Sequence, residues 1–253
     1  MGNFARYYVA LLMERTIMGW KFSVIQPTIK YNITNKLSVG TWATTNFKTD
    51  YFYADGNASK GYQELDFFVS YKVNKYFTVQ LWDYYWPSVE KVEGIDNRFF
   101  NYKSNGVKTV DLILLFDFSD VWLPFNLTLS SLLAGNDFRY DGNGENPTQN
   151  FTTYIEIGYN FENIFKKTRI KAFQNINLQP ALGVVFNNQA GYYTSGDYVK
   201  PSVVNLSLKA NRKFKINKHF SMPVFINYIH NGSQKNTEIF GRNFVVFDAT
   251  FCY

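Results

Sequence analysis

A single cysteine, Cys252, stands among 253 residues. No disulfide can form within the chain, and no thiolate cluster can hold a metal. Histidine is almost as scarce, with only His219 and His230. A paired CxxC, an HExxH and a glycine-rich phosphate loop are all absent, so no metal and no cofactor is expected. Long apolar runs are missing as well. A membrane-spanning helix needs about 20 consecutive apolar residues. The longest runs here are YYVALLM (7–13) and LILLF (112–116), which excludes helical spans. Arg6 ahead of YYVALLM has the outline of a leader's charged region and apolar core, but no small-residue cleavage site follows, and the start reads as a mature or recombinant one. No repeat, low-complexity tract or linker divides the chain, so residues 1–253 are read as one domain.

What the sequence has in abundance is aromatic side chains, 19% of the total with 25 Phe and 19 Tyr, on a chain whose mean hydropathy is nonetheless negative. Turn signals cut it into about twelve strand candidates of about ten residues, the length a tilted strand needs to cross a bilayer. They fall at 4–13, 22–33, 36–47, 62–73, 75–86, 107–118, 123–133, 151–161, 176–187, 202–214, 219–230 and 243–253. Connections alternate in length. TN (34–35), N (74), SDVW (119–122) and KINK (215–218) are short, whereas 48–61 and 135–150 are long and polar. Only 162–175 is long on the short-turn side. Short turns at one end and long loops at the other mark an outer-membrane barrel, and an even strand count puts both termini at the short-turn, periplasmic end.

Within the strands, polarity alternates with period two. Leu65, Phe67, Val69 and Tyr71 face opposite Glu64, Asp66, Phe68 and Ser70; Leu127, Leu129 and Ser131 alternate with Thr128 and Ser130. Val204, Leu206, Leu208 and Ala210 face opposite Asn205, Ser207, Lys209 and Asn211. In the closing NFVVFDATFCY, Val245, Phe247, Ala249, Phe251 and Tyr253 share one face, and Phe244, Val246, Asp248, Thr250 and Cys252 the other. A soluble sandwich can alternate in this way too. Strand length, the alternation of loop length, and aromatic clusters at strand ends such as WDYYW (82–86), which match interfacial girdles, favour the barrel.

The expected fold is therefore all-β: a single closed antiparallel transmembrane barrel of about twelve strands. Phe67, Leu127, Leu206, Val224 and Phe247 are expected to meet lipid. Lys30, Glu64, Asp66, Asp111, Glu156, Lys209 and Asp248 are expected to line the lumen, because a Lys or Arg against lipid at mid-depth costs about 2–4 kcal/mol. Pairing of the inward carboxylates with Arg6, Lys30 and Lys209 is the structural expectation, with solute selectivity as the functional one.

Net charge is +6. Eleven of the basic residues fall on the short-turn side (Lys36, Lys72, Lys75, Lys166, Lys167, Arg169, Lys171, Arg212, Lys213, Lys215 and Lys218), opposed there by Asp120 and Glu162. A basic rim suits anionic phospholipid headgroups, each charge contributing about 1 kcal/mol. This distribution points to outer-membrane lipids as partners and away from nucleic acid.

The stretches IQPTIKYN (25–32), VGTW (39–42), ELDFFVSY (64–71), LAGNDF (133–138), TTYIEIGYNF (152–161) and NLSLKANRKFKINKHFSMPVF (205–225) resemble a family of uncharacterised outer-membrane barrels of Bacteroidota type. The resemblance spans most of the chain and implies a barrel in the outer membrane. It implies no activity. The opening segment FARYYVALLMERTIMGW (4–20) departs from the short aromatic-and-Arg start the family leads one to expect. Similarity to bacterial outer-membrane proteins in general implies that the barrel assembly machinery reads the terminal strand through Phe247, Phe251 and Tyr253.

Candidate chemistry is sparse. His230 with nearby Ser233, in YIHNGSQ (228–234), has two members of a lipid-hydrolase site but no identifiable third. DGNGEN (141–146) spaces oxygen ligands like a calcium loop but lacks its closing Glu. GYYTSGDYV (191–199) offers rings for sugar stacking, though interface anchoring accounts for it more simply. No catalytic residue is assigned. A passive pore for small polar solutes is the leading expectation. An accessory barrel docked to other outer-membrane proteins or a surface lipoprotein comes next, followed by a lipid-modifying enzyme.

Overall fold

The computed structural model describes residues 6–12, 24–46, 50–52, 58–60, 63–87, 92–170, 173–218 and 220–252. Twelve long strands carry the architecture: β1 (Arg6–Leu12), β2 (Val24–Asn32), β3 (Leu37–Asn46), β6 (Gln63–Lys72), β7 (Phe77–Tyr85), β8 (Lys108–Asp117), β9 (Phe125–Gly135), β12 (Thr153–Tyr159), β13 (Asn177–Val185), β14 (Ser202–Lys215), β15 (Ser221–His230) and β16 (Asn243–Cys252). Two small hairpins, β4 (Asp50–Phe52) with β5 (Ala58–Lys60) and β10 (Phe138–Arg139) with β11 (Thr148–Gln149), sit in the long loops. So do two short helices, α1 (Gly191–Thr194) and α2 (Gln234–Phe240). None of these four was anticipated from the sequence.

The eleven long strands from β2 to β16 form one antiparallel sheet in which each pairs with the next. β1 pairs with β2 on one side and β16 on the other, so the strand order closes on itself. Four of the connections at one end are built on a side-chain oxygen that takes over the role of a backbone acceptor. Thr34 Oγ1 accepts from the amides of Lys36 and Leu37, Asn74 Oδ1 from Tyr76 and Phe77, Asp117 Oδ1 from Ser119, and Asn217 Oδ1 from Phe220. The connection 160–176 is the long one at this end, and the long, hairpin- and helix-bearing connections lie at the other.

Burial is inverted relative to a water-soluble sheet. In β6 every second residue is covered, and the covered ones are Glu64, Asp66, Phe68 and Ser70. Asp66 keeps 1% of its surface, whereas its neighbour Phe67 keeps 44%. The same exposed apolar row continues through Ile29, Tyr31, Leu81, Ile157, Leu182, Leu206, Ile226, Tyr228, Val245 and Phe247. Phe67, Leu206 and Phe247 thus lie on the outer face, as the alternation predicts; Leu127 pairs with exposed Ile157, and Val224 shares the register of exposed Ile226. The side chain of Phe251 and all of Tyr253 lie outside the described residues, as does His219.

Among the apolar residues assigned to the outer face, one is misplaced. Val204, expected beside Leu206 on the outer face, is buried. Gly183 pairs with Asn205 and Val184 with Val203, so Val204 is the extra residue of a β-bulge, and the strand's alternation restarts there.

Candidate functional site

All seven residues expected to line the interior are on the covered face. Glu64, Asp66, Asp111 and Asp248 are buried, Lys30 shares the register of buried Gln26, and Glu156 and Lys209 line an internal cavity. Three of the carboxylates are held by hydroxyl and amide donors, and the side chain of Arg6, one of the expected ionic partners, lies outside the described residues. Asp111 accepts from Ser130 Oγ at 2.8 Å and from the Tyr84 hydroxyl at 3.1 Å. Glu156 accepts from the Tyr154 hydroxyl and from Asn205 Nδ2 at 2.7 Å. Asp248 accepts from Thr250 Oγ1 at 2.7 Å. Donors of this kind hold a buried carboxylate without a second charge having to be desolvated.

The segment GYYTSGDYV, expected at the membrane interface, instead turns inward. Its helix α1 places Tyr193 against four separate strands. The ring stacks on Tyr154 of β12 at 5.0 Å with 8° between planes, the hydroxyl lies 3.4 Å from Ser130 Oγ of β9, and the side chain packs on Val185 and on Val204 of β14. Burial pushes the Tyr193 hydroxyl well above the ordinary tyrosine range, with the Asp111 charge adding to the shift. Tyr192 reaches the opposite way to Tyr84 and Trp86, at 6.4 and 4.8 Å between ring centroids. α1 therefore crosses the interior from β7 to β14. Ser195, which ends the helix in the left-handed region, donates to Asn236 of α2 at 2.8 Å and ties the two loops together. The sequence WDYYW, read as an interfacial girdle, splits in two. Trp82, Tyr84 and Trp86 form an inner ladder stacked on Phe68, while Asp83 and Tyr85 point outward.

Room for this packing is set by glycine. A Cβ on Gly183 would lie 2.1 Å from the Tyr154 hydroxyl. Gly183→Ala is expected to push Tyr154 off both Glu156 and Tyr193 while leaving the sheet paired. Ultraviolet difference spectra of the tyrosines would register the change, and an unaltered spectrum would contradict the packing.

Beneath α1 lies a cavity of about 510 Å³, lined by Asn126, Tyr154, Glu156, Gln179, Tyr193, Asn205, Ser207, Lys209, Phe225 and Asn227 among others. Of these, Glu156 and Lys209 were expected to line the lumen, Asn205 and Ser207 to share the face of Lys209, and Tyr193 to belong to an aromatic loop. They become partners through register, Glu156 lying opposite Gly183 and Gly183 opposite Asn205.

The expectation that strand charges face inward meets an exception on the outer face. Asp83 and Lys108 pair there, and Lys108 has no exposed surface. Loop 92–106 folds over the pair. Phe99 sits 3.9 Å under the ammonium, Tyr102 donates to Asp83, and Phe67 packs edge-on against Phe99.

The remaining candidates do not converge. His230 Nδ1 lies 2.9 Å from Asn243 Oδ1, whereas buried Ser233 directs its hydroxyl to the Thr194 carbonyl at 3.5 Å, and no hydrogen bond joins the two. The carboxylate of Asp141 is already taken up by its own loop. Asn146 Nδ2 donates at 2.7 Å, and the amides of Glu145 and Asn143 also donate, holding the carboxyl below its usual range. In the loop after β9, burial raises the Asp137 carboxyl, opposed by the hydroxyl and amide of Thr152. Among the described residues no three His, Cys, Asp or Glu side chains cluster as a metal site, and no helix is long and apolar enough to cross a membrane.

No family model matches the chain, and no curated protein sequence matches it. Among solved structures it is similar to LpxR from Salmonella typhimurium at 7% identity and a TM-score of 0.48, covering 98% of this chain and 99% of that one. It is also similar to Salmonella typhi OmpF in complex with daunomycin (8%, 0.40, covering 100% and 98%). The β domain of the Bordetella autotransporter BrkA gives 11% and 0.39, covering 98% and 97%.

Proposed function

We propose that the chain is a closed twelve-strand barrel of an outer membrane, with both termini at the short-turn, periplasmic end, acting as a narrow passive pore for small polar solutes. The observation that carries this reading is the inverted sheet. A continuous apolar outer row suits hydrocarbon, and an inner row of Glu64, Asp66, Ser70, Ser130, Ser207 and Asp248 suits water. Outer-membrane lipids and, during insertion, the barrel assembly machinery are the partners this implies. The terminal strand with Phe247, Phe251 and Tyr253 serves as the signal for assembly. No catalytic step and no cofactor is proposed.

α1 is the constriction. Single-channel recording in planar bilayers is expected to give a small conductance. Replacing Tyr192 and Tyr193 together by Gly should raise it several-fold, because those rings fill the gap between β7 and β14. A protein silent in both forms would contradict the pore.

A second reading, an accessory barrel docked to other outer-membrane proteins or a surface lipoprotein, is favoured by one feature. The long connection at the short-turn end exposes Ile164, Phe165, Ile170 and Phe173 beside Lys166, Lys167 and Arg169. Exposed apolar side chains grouped in this way mark interaction surfaces. A silent barrel that co-purifies with other membrane proteins would support it over the pore.

A further inference from the structure

The cavity beneath α1 has a composition that identifies a ligand class, and we infer that it binds a neutral mono- or disaccharide. The inference deepens, and rests on, the reading of the interior as a path for polar solutes. At about 510 Å³ the cavity falls in the range of small-molecule sites, roughly 300–1,000 Å³. Its walls are unusually rich in carboxamides, which arrive from separate strands: Asn126 on β9, Gln179 on β13, Asn205 on β14 and Asn227 on β15. A carboxamide presents a donor and an acceptor side by side, and a sugar hydroxyl likewise both donates and accepts. Buried Asn205 Oδ1 has no donor among the described residues.

Charge separates this class from its rivals. The cavity holds one carboxylate and one ammonium, which disfavours a solute with net charge of either sign. Tyr154 and Asn205 both donate to the same oxygen of Glu156, which leaves its other oxygen as an acceptor for a ligand hydroxyl, and a zwitterion is the rival that glycine tests. Lys209 lines the cavity with its ammonium 5.2 Å from the Phe225 ring centroid, where it can donate to a ligand hydroxyl. Phe225, Ile229 and Val246 supply apolar wall for the C–H faces of a pyranose, and Gly158 leaves the wall low beside Asn126.

The test is isothermal titration of the detergent-solubilised full chain with maltose, glycine and gluconate. Saturable heat is expected for maltose alone. Asn126→Leu and Lys209→Met, each verified as folded by heat-modifiable gel mobility, should weaken maltose binding about tenfold by removing a hydrogen-bond partner. No saturable maltose binding, equal binding of glycine or gluconate, or unchanged affinity in both variants would overturn the assignment. Binding is read here without conduction. A protein that conducts but ignores maltose loses the saccharide assignment and keeps the pore, and a silent protein that binds maltose keeps the site and loses the pore.

Discussion

Removing residues 244–253 is expected to abolish assembly, and single substitutions in the same strand should separate by face. β16 pairs with β15 along one edge and with β1 along the other. Without it both neighbours present open edges, and each unpaired backbone group in hydrocarbon costs several kcal/mol. Replacing Phe251 and Tyr253 by Ser should slow insertion in cells while leaving the finished fold nearly as stable. Phe247 keeps 43% of its surface and Asp248 keeps 3%. Phe247→Asp sets a carboxylate against lipid and removes a ring from it, about 3 kcal/mol in all. Asp248→Ala removes the acceptor for Thr250 on the inner side, about 1 kcal/mol. Heat-modifiable mobility of the membrane-extracted variants reads all of these. A deletion that folds normally, or equal behaviour at 247 and 248, would contradict the face assignment.

The second large effect concerns the outer-face ion pair. Lys108 is fully covered and Asp83 keeps 28% of its side-chain surface. Asp83→Ala strands an ammonium among Phe99, Tyr85 and Tyr102, leaving only cation–π contacts to hold it. The cost is expected to be about 3 kcal/mol, at the lower end for breaking a buried pair because Asp83 is not fully buried. Asp83→Leu combined with Lys108→Met removes both charges and should return stability to within about 1 kcal/mol of the parent. Denaturant unfolding of the protein refolded in vesicles measures this. A harmless single variant, or a double variant as unstable as the single, would show that the pair is not what holds loop 92–106 in place.

The long strands were legible because period-two alternation and turn residues act locally. Thr34, Asn74, Asp117 and Asn217 fix the short connections within a few residues of sequence, and all seven expected interior residues share the covered face. Readings failed where the answer depends on a partner distant in the chain. Val204 is turned inward by a bulge that exists only in the pairing of β13 with β14. Tyr192 and Tyr193 read equally well as interfacial anchors until β7, β9, β12 and β14 are brought around them. Asp83 and Lys108 look like two interior charges until their registers in β7 and β8 are known. The cavity's carboxamides are unremarkable one at a time, and become a site only when four strands set them level.

Which face of the sheet meets lipid separates a membrane barrel from a water-soluble sheet. Nitroxide labels on single cysteines, in a Cys252→Ser background, report this by collision with oxygen, which favours hydrocarbon, or with a water-soluble nickel chelate. Labels at 67, 206 and 247 should collide with oxygen and be shielded from nickel, and labels at 66, 207 and 248 should show less oxygen collision at every pair. Equal oxygen accessibility across the two sets, or the reverse order, would contradict the inverted sheet and everything derived from it.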